Sequence, residues 1–394
     1  MELPIFEIAD IFRDYVKVYM EMTNSSLPLS YYKVINAIEN CRTKVLGGHK
    51  EVCDECKEAR YSYNSCRNRH CPKCQFLGRE NWIEKRTEDL LPVTYFHVVF
   101  TLPDLIRPIA LRNKRIIYDM LFRAVNETIK TLCADPKHLG AEVGFIAVLH
   151  TWSQTLMDHP HMHVILPGGG ITKEDNSWKT FKGNFFIHVK VLSELFRGKF
   201  LYYLKKAYSS GDLEFMGDIS ELGNENNFKK LVNALYKKEW VVFSKESFQG
   251  PQGVIKYLGR YTHRIAISNY RIKNIDNGRV TFSYRDSKAE NKIKLMELKV
   301  EEFIRRFMLH VLPEKYMRIR YYGILANKKR KNELREIRKI LKCEVKQKEE
   351  IVETWQEKLY RLTGFDVTRC PFCKKGRMQI VEKYEPGEFQ IRAP

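Results

Sequence analysis

Three histidines stand within five residues at His159-Pro160-His161-Met162-His163, and the run continues through Val164-Ile165-Leu166-Pro167 into Gly168-Gly169-Gly170. β-Branched and large apolar residues alternating with polar ones read as a strand, where side chains point to opposite faces by turns. His161, His163 and Ile165 then share one face, and Met162, Val164 and Leu166 share the other. A chain carrying this strand must bury one face and leave two imidazoles side by side on the other. Neutral imidazoles in that arrangement can chelate one divalent metal. The triple glycine lacks the lysine and hydroxyl of a phosphate loop, so a flexible turn at a cleft mouth is the expectation.

The strand's partner lies just upstream. Val143 to Thr155 reads as a second strand, and Leu156 to His159 as a turn, making an antiparallel hairpin. A turn centred on Met157-Asp158 sets Gln154 opposite His161 and Trp152 opposite His163. Gln154 is therefore the first choice for a third metal ligand, with His150 and Asp158 behind it. His159 sits at the turn beside the ligands.

A second group of metal ligands comes earlier: Cys41, His49, Cys53, Cys56, Cys66, His70, Cys71 and Cys74. The pairs Cys53–Cys56 and Cys71–Cys74 are CxxC knuckles at the spacing of a four-cysteine zinc ribbon. Cys41, His49, Cys66 and His70 can form a second, interleaved tetrahedral set. Two structural Zn²⁺ ions are expected here. Arg67 and Arg69 lie between ligands of both sets, on a stiff loop suited to phosphates or base edges. Cys370 and Cys373 form one further knuckle, which Cys343, another subunit or nothing completes.

The chain carries 68 Lys and Arg against 48 Asp and Glu, a formal net charge of +20. Charge of that size on a globular chain points to a polyanionic partner, with nucleic acid the default. Residues 313–342 hold eleven of those cations and three glutamates, and Arg318 and Arg320 stand beside Tyr321 and Tyr322. Guanidinium next to aromatic rings holds phosphates and stacks bases. No apolar run approaches a membrane span, and the acidic N-terminus lacks signal-peptide character. An intracellular protein whose cysteines bind metal follows as the expectation.

Another segment completes the chemistry. Pro251 to Arg264 reads as a helix in which Tyr257 and Tyr261, four apart, project from one face beside Lys256, Arg260 and Arg264. The expected fold is α+β. Helices over 1–40 precede a zinc-binding segment with a connecting helix over 41–92. An antiparallel-sheet domain with flanking helices follows over 93–285, and a basic, mainly helical DNA-binding region over 286–394.

His-Pro-His-Met-His with Leu-Pro-Gly-Gly-Gly, then Tyr-Leu-Gly-Arg-Tyr-Thr-His-Arg-Ile-Ala-Ile-Ser-Asn, resembles the rolling-circle insertion-sequence transposases of the HUH class with two tyrosines. So do Asn64 to Cys74 and Tyr321 to Asn327, and the likeness spans roughly residues 35–375. It implies an HUH endonuclease domain whose sheet carries His161 and His163 centrally, with Tyr257 and Tyr261 on a helix packed beside it. It also implies Mg²⁺ or Mn²⁺ at the histidines and bacterial mobile DNA as substrate. Single-stranded transposon ends would be nicked and rejoined through 5′-phosphotyrosine intermediates in a cytoplasmic, nucleoid-associated setting. Helicase motifs are absent, so a host helicase or replication would supply unwinding. A replication initiator or relaxase with the same chemistry, or a zinc-dependent DNA-binding regulator with a dead site, are the alternatives.

Overall fold

The computed structural model describes residues 4–23, 27–182, 186–246, 253, 259, 266–286, 289–343 and 353–387. The chain forms two compact units, neither continuous in sequence. One comprises Met1–Glu80, Ile267–Ile304 and Lys346–Pro394, the other Asn81–Ala266 and Arg305–Val345. The fold class is α+β, as expected. The expected 286–394 region is divided between the two units.

The larger unit is built on a five-stranded antiparallel sheet. Its strand order is Ile319–Tyr322, Phe145–Trp152, Asp158–Pro167, Tyr95–Thr101, Val242–Glu246, which puts the histidine strand in the centre. Alternation sorts the two faces as the sequence requires. Phe96, Val98, Phe100, Ala147, Leu149, Met162, Val164 and Leu166 enter one core, closed by the 21-residue helices Lys114–Ala134 and Val189–Ser209. Each fully buried Val, Leu or Phe there contributes roughly 1.5–3 kcal/mol. On the opposite face Tyr95, Ile146, Val148 and Ile165 pack with Leu91, Ile324, Leu325, Leu334 and Ile337. That second cluster occupies one end of the face, and the histidines occupy the other.

Two local expectations change. Gly169–Ile171 is a short strand paired with Trp178–Thr180 rather than a flexible turn. A Cβ on Gly169 would meet the Lys179 carbonyl at 2.5 Å, so close backbone approach explains the glycine. Ile265 to Arg271 is not a strand among the described residues. Pairing begins at Ile272–Asp276 and continues through Arg279–Asp286 and Lys292–Lys299, with Asn277 and Gly278 both at positive φ in the expected tight turn.

The smaller unit holds that meander, the helices Ile8–Thr23 and Leu29–Glu39, and a second three-stranded sheet. In this sheet Gly48–Cys53 lies between Ala59–Tyr63 and Met378–Tyr384, so chain from both ends of the sequence pairs side by side. The helix Trp355–Thr363 starts on a capping box of Thr354 and Glu357 and stops at Gly364, φ 70°. No helix among the described residues is long and apolar enough to cross a membrane.

Candidate metal centres

The hairpin carrying the histidines closes further from them than a two-residue turn would. Ser153 donates its backbone N–H to Met157 O at 2.9 Å, and Leu156 takes a positive φ of 62° within the turn. The strands then pair His150 with His161 and Val148 with His163, after a register shift between His150 and Trp152. His150 thus holds the place opposite His161 that the expected register assigned to Gln154. Gln154 lies in the turn. Asp158 pairs with Trp152, and burial raises its carboxyl to about 7.

Ligand nitrogens of His150, His161 and His163 all lie within 4.8 Å of one another. Two further contacts orient the rings. His161 Nδ1 is 2.6 Å from the carbonyl of His159, which can only accept, so Nδ1 carries the proton and Nε2 keeps its lone pair. His163 Nδ1 is 2.8 Å from His97 Nε2, and those two rings stack at 5.1 Å. Burial pushes His97 and His161 down to about 4, so both are neutral at physiological pH. His97 was missed in the sequence. Parity along Tyr95–Thr101 was the available signal, because His97 shares a face with Val99 and Thr101 (the residues paired with His163 and His161).

His310 fixes the turn itself. Its Nε2 donates to Leu156 O at 3.0 Å, and its Nδ1 accepts from the Thr151 hydroxyl at 3.3 Å. Burial lowers its pKa to about 3. The unfolded chain therefore takes up this proton near pH 6.5 while the folded one refuses it. Stability falls as pH drops from 6.5 towards 3, by about 1.4 kcal/mol per pH unit for this group. Urea unfolding from pH 6 to pH 5 is expected to show that slope lessened by about one proton in His310→Gln. Equal slopes in the two proteins would remove His310 from the acid response.

Eight cysteines gather into two tetrads, Cys41–Cys66–Cys71–Cys74 and Cys53–Cys56–Cys370–Cys373. This regroups the expected sets. Cys53–Cys56 pairs with the C-terminal knuckle rather than with Cys71–Cys74. His49 instead lies on the central strand, with Nε2 3.7 Å from Glu51, and His70 is buried outside both tetrads. Sulfur separations of 3.4 Å (Cys41–Cys74), 3.6 Å (Cys66–Cys74), 3.8 Å (Cys53–Cys373) and 3.7 Å (Cys56–Cys370) are too long for disulfides. They match the roughly 3.8 Å edge of a tetrahedron with Zn–S bonds of about 2.3 Å. Backbone N–H groups of Gly376 and Lys375 draw the Cys373 thiol down to about 6, which favours the thiolate a metal needs. The donor set and spacing fit Zn²⁺ at both.

One backbone feature recurs. Arg42, Lys57, Arg67 and Lys374 each follow a tetrad cysteine directly, and all four have φ between 51° and 65°. Left-handed backbone costs a residue with a Cβ about 1–2 kcal/mol, so the surrounding ligation must hold it there.

The remaining candidate DNA contacts divide. Arg67 is exposed, whereas burial lowers the pKa of Arg69. Arg318 is buried, and Arg320 pairs with Asp119 over the Phe122 ring at 4.0 Å, so both serve packing in the larger unit. Tyr257, Tyr261, Lys256, Arg260 and Arg264, with the helix expected for them, lie outside the described residues.

Comparison with known proteins supports zinc binding by the N-terminal cysteines. Residues 144–333 match a family model described as "Putative transposase", and residues 11–102 match one described as "Transposase zinc-binding domain". The chain is 47% identical over 381 residues to the protein named "Putative transposase y4qJ" of Sinorhizobium fredii, covering 96% of each. It is 29% identical over 296 residues to the transposase for insertion sequence element IS801 of Pseudomonas savastanoi pv. phaseolicola, covering 73% of this chain and 68% of that one. The chain belongs to the IS91 family of insertion-sequence transposases, zinc-binding enzymes that act on DNA.

Proposed function

We propose that this transposase nicks and rejoins single-stranded DNA at transposon ends by rolling-circle chemistry, with Tyr257 and Tyr261 as nucleophiles. The observation that carries the reading is the convergence of three imidazoles from adjacent strands. His150, His161 and His163 would hold one divalent cation, and three nitrogens without a carboxylate suit Mn²⁺ better than Mg²⁺. Bound there, the cation would supply Lewis-acid polarisation of a phosphoryl oxygen. The His159 carbonyl keeps the His161 proton on Nδ1. His97 Nε2, 2.8 Å from His163 Nδ1, would do the same for His163 by accepting from it, which would leave both Nε2 lone pairs for the cation.

In the cleavage step the phenolic oxygen of one tyrosine bonds to phosphorus and the P–O3′ bond breaks. The phenol proton is lost, and the leaving 3′ oxygen gains one to become a 3′-OH. The product is a 5′-phosphotyrosine that retains the bond energy for rejoining. Two tyrosines let a second strand be accepted while the first stays attached. Lys256, Arg260 and Arg264 would hold flanking phosphates.

The test is a covalent protein–oligonucleotide adduct on single-stranded transposon-end DNA, resolved on a denaturing gel with Mn²⁺ or Mg²⁺. Tyr257→Phe and Tyr261→Phe are each expected to keep some nicking and to block complete strand transfer, and the double variant to form no adduct. An adduct in the double variant would assign the nucleophile elsewhere. No adduct in the intact protein would favour a DNA-binding regulator with a dead site.

A further inference from the structure

The smaller unit contains a groove of ≈ 930 Å³ that the histidine chemistry does not use. Its lining includes Arg42, Glu51, Arg60, Arg67, Phe76 and Trp355. We propose that this groove binds a single DNA strand, with Arg42 and Arg67 on phosphates and Phe76 and Trp355 stacking bases.

The two arginines are held on the rim of one tetrad. Each follows a sulfur of the Cys41–Cys66–Cys71–Cys74 tetrad, and each sits in left-handed backbone that glycine would adopt at less cost. Both are exposed, and neither guanidinium has a hydrogen bond or ion pair among the described residues. The same backbone recurs at Lys57 and Lys374 after the cysteines of the other tetrad, and what sets Arg42 and Arg67 apart is that both line the groove. The backbone N–H of Arg42 donates to Asn64 O at 3.0 Å, which ties the tetrad rim to the strand Ala59–Tyr63.

The aromatic residues point the same way. Trp355 is 56% exposed and Phe76 38% exposed. The helix Trp355–Thr363 has no buried residue, so Trp355 is not there to fill a core. Unstacked bases offer π faces that such rings take up regardless of sequence, whereas duplex DNA hides those faces. The carboxylate on the groove wall, Glu51, is satisfied by Arg60 at 2.7 Å and by the Ser62 hydroxyl at 2.9 Å, so it does not repel phosphate uncompensated. Arg60 also donates to Val367 O at 3.0 Å, and the strand Met378–Tyr384 pairs with Gly48–Cys53. The Cys53–Cys56–Cys370–Cys373 tetrad thereby places the segment that brings Trp355 to the groove. Strand binding of this kind does not depend on the tyrosine chemistry.

The experiment measures fluorescence anisotropy of labelled oligothymidylate with the full-length, zinc-loaded protein, without Mg²⁺ or Mn²⁺. Failure of the cleavage reading would leave this measurement unaffected. Arg42→Ala with Arg67→Ala is expected to lower affinity and to flatten the dependence of log K on log salt by about 1.4, about 0.7 for each lost phosphate. Trp355→Ala is expected to lose roughly tenfold in affinity. Wild-type affinity and salt slope in the double variant at full zinc content would mean that the arginines only balance thiolate charge, and would overturn the proposal. An equal loss on duplex DNA would overturn the single-strand assignment. Should the arginine variant fail to fold, the fluorescence difference between wild type and Trp355→Phe decides. Quenching by oligothymidylate supports the groove, and its absence overturns it.

Discussion

His161→Ala is expected to abolish metal-dependent adduct formation while leaving binding of the same strand largely intact. The loss should reach about 10²–10³-fold or more, the rate equivalent of the several kcal/mol that a Lewis acid contributes to phosphoryl transfer. The cause is local. His161 lies on the central strand of its sheet, with Nδ1 anchored on the His159 carbonyl at 2.6 Å, which leaves Nε2 as its ligand atom. His150→Ala should behave alike, since it faces His161 across the hairpin. His97→Ala should be milder, raising the Mn²⁺ concentration needed by about 10–100-fold, because it orients a ligand without being one. Metal titration of the cleavage rate separates the three. Strand binding that falls in parallel with cleavage in His161→Ala would make the histidines structural instead.

Cys370→Ser with Cys373→Ser should halve the zinc content, from two ions per chain to one, and free the C-terminal segment. Apart from the pairing of Met378–Tyr384 with Gly48–Cys53, that segment has little core of its own. Among the described residues its buried side chains in the cluster are Cys370 and Met378, packed with Cys53. Structural zinc carries roughly 10–16 kcal/mol of apparent binding energy in small domains, far beyond what two buried side chains supply. Limited proteolysis should then cut between residues 353 and 387 at protease levels the intact protein survives. Metal analysis that still returns two zincs would mean Cys53 and Cys56 find other partners.

The histidine strand was readable because alternation is local. Met162, Val164 and Leu166 enter the core while His161 and His163 face away, as period two demands. Register was less readable. A loop from Ser153 to Met157, closed by one backbone bond and a left-handed Leu156, shifts the pairing and exchanges Gln154 for His150. Turn length depends on such details, which composition does not encode. The cysteines divide in the same manner. CxxC spacing announces a half-site reliably, but which half-sites meet is a matter of tertiary pairing, here between the strands Gly48–Cys53 and Met378–Tyr384. His49 and His70 fitted the spacing of ligands, yet each lies outside the tetrads. Arg320 illustrates the limit of charge reading, since a basic run contains both unpaired cations and ones committed to an acid elsewhere in the chain, such as Asp119.

The tetrad that joins Cys53 and Cys56 to Cys370 and Cys373 also imposes an order on biosynthesis. The first two thiols leave the ribosome more than three hundred residues before the last two. At about 5–20 residues per second the half-site waits roughly 15–60 s for its complement. Throughout that interval the nascent chain can complete the Cys41–Cys66–Cys71–Cys74 site but not the other, and the sheet around Gly48–Cys53 lacks one of its edges. A product released before Cys370 would carry the histidine strand and both tyrosines with an open thiol pair at Cys53 and Cys56.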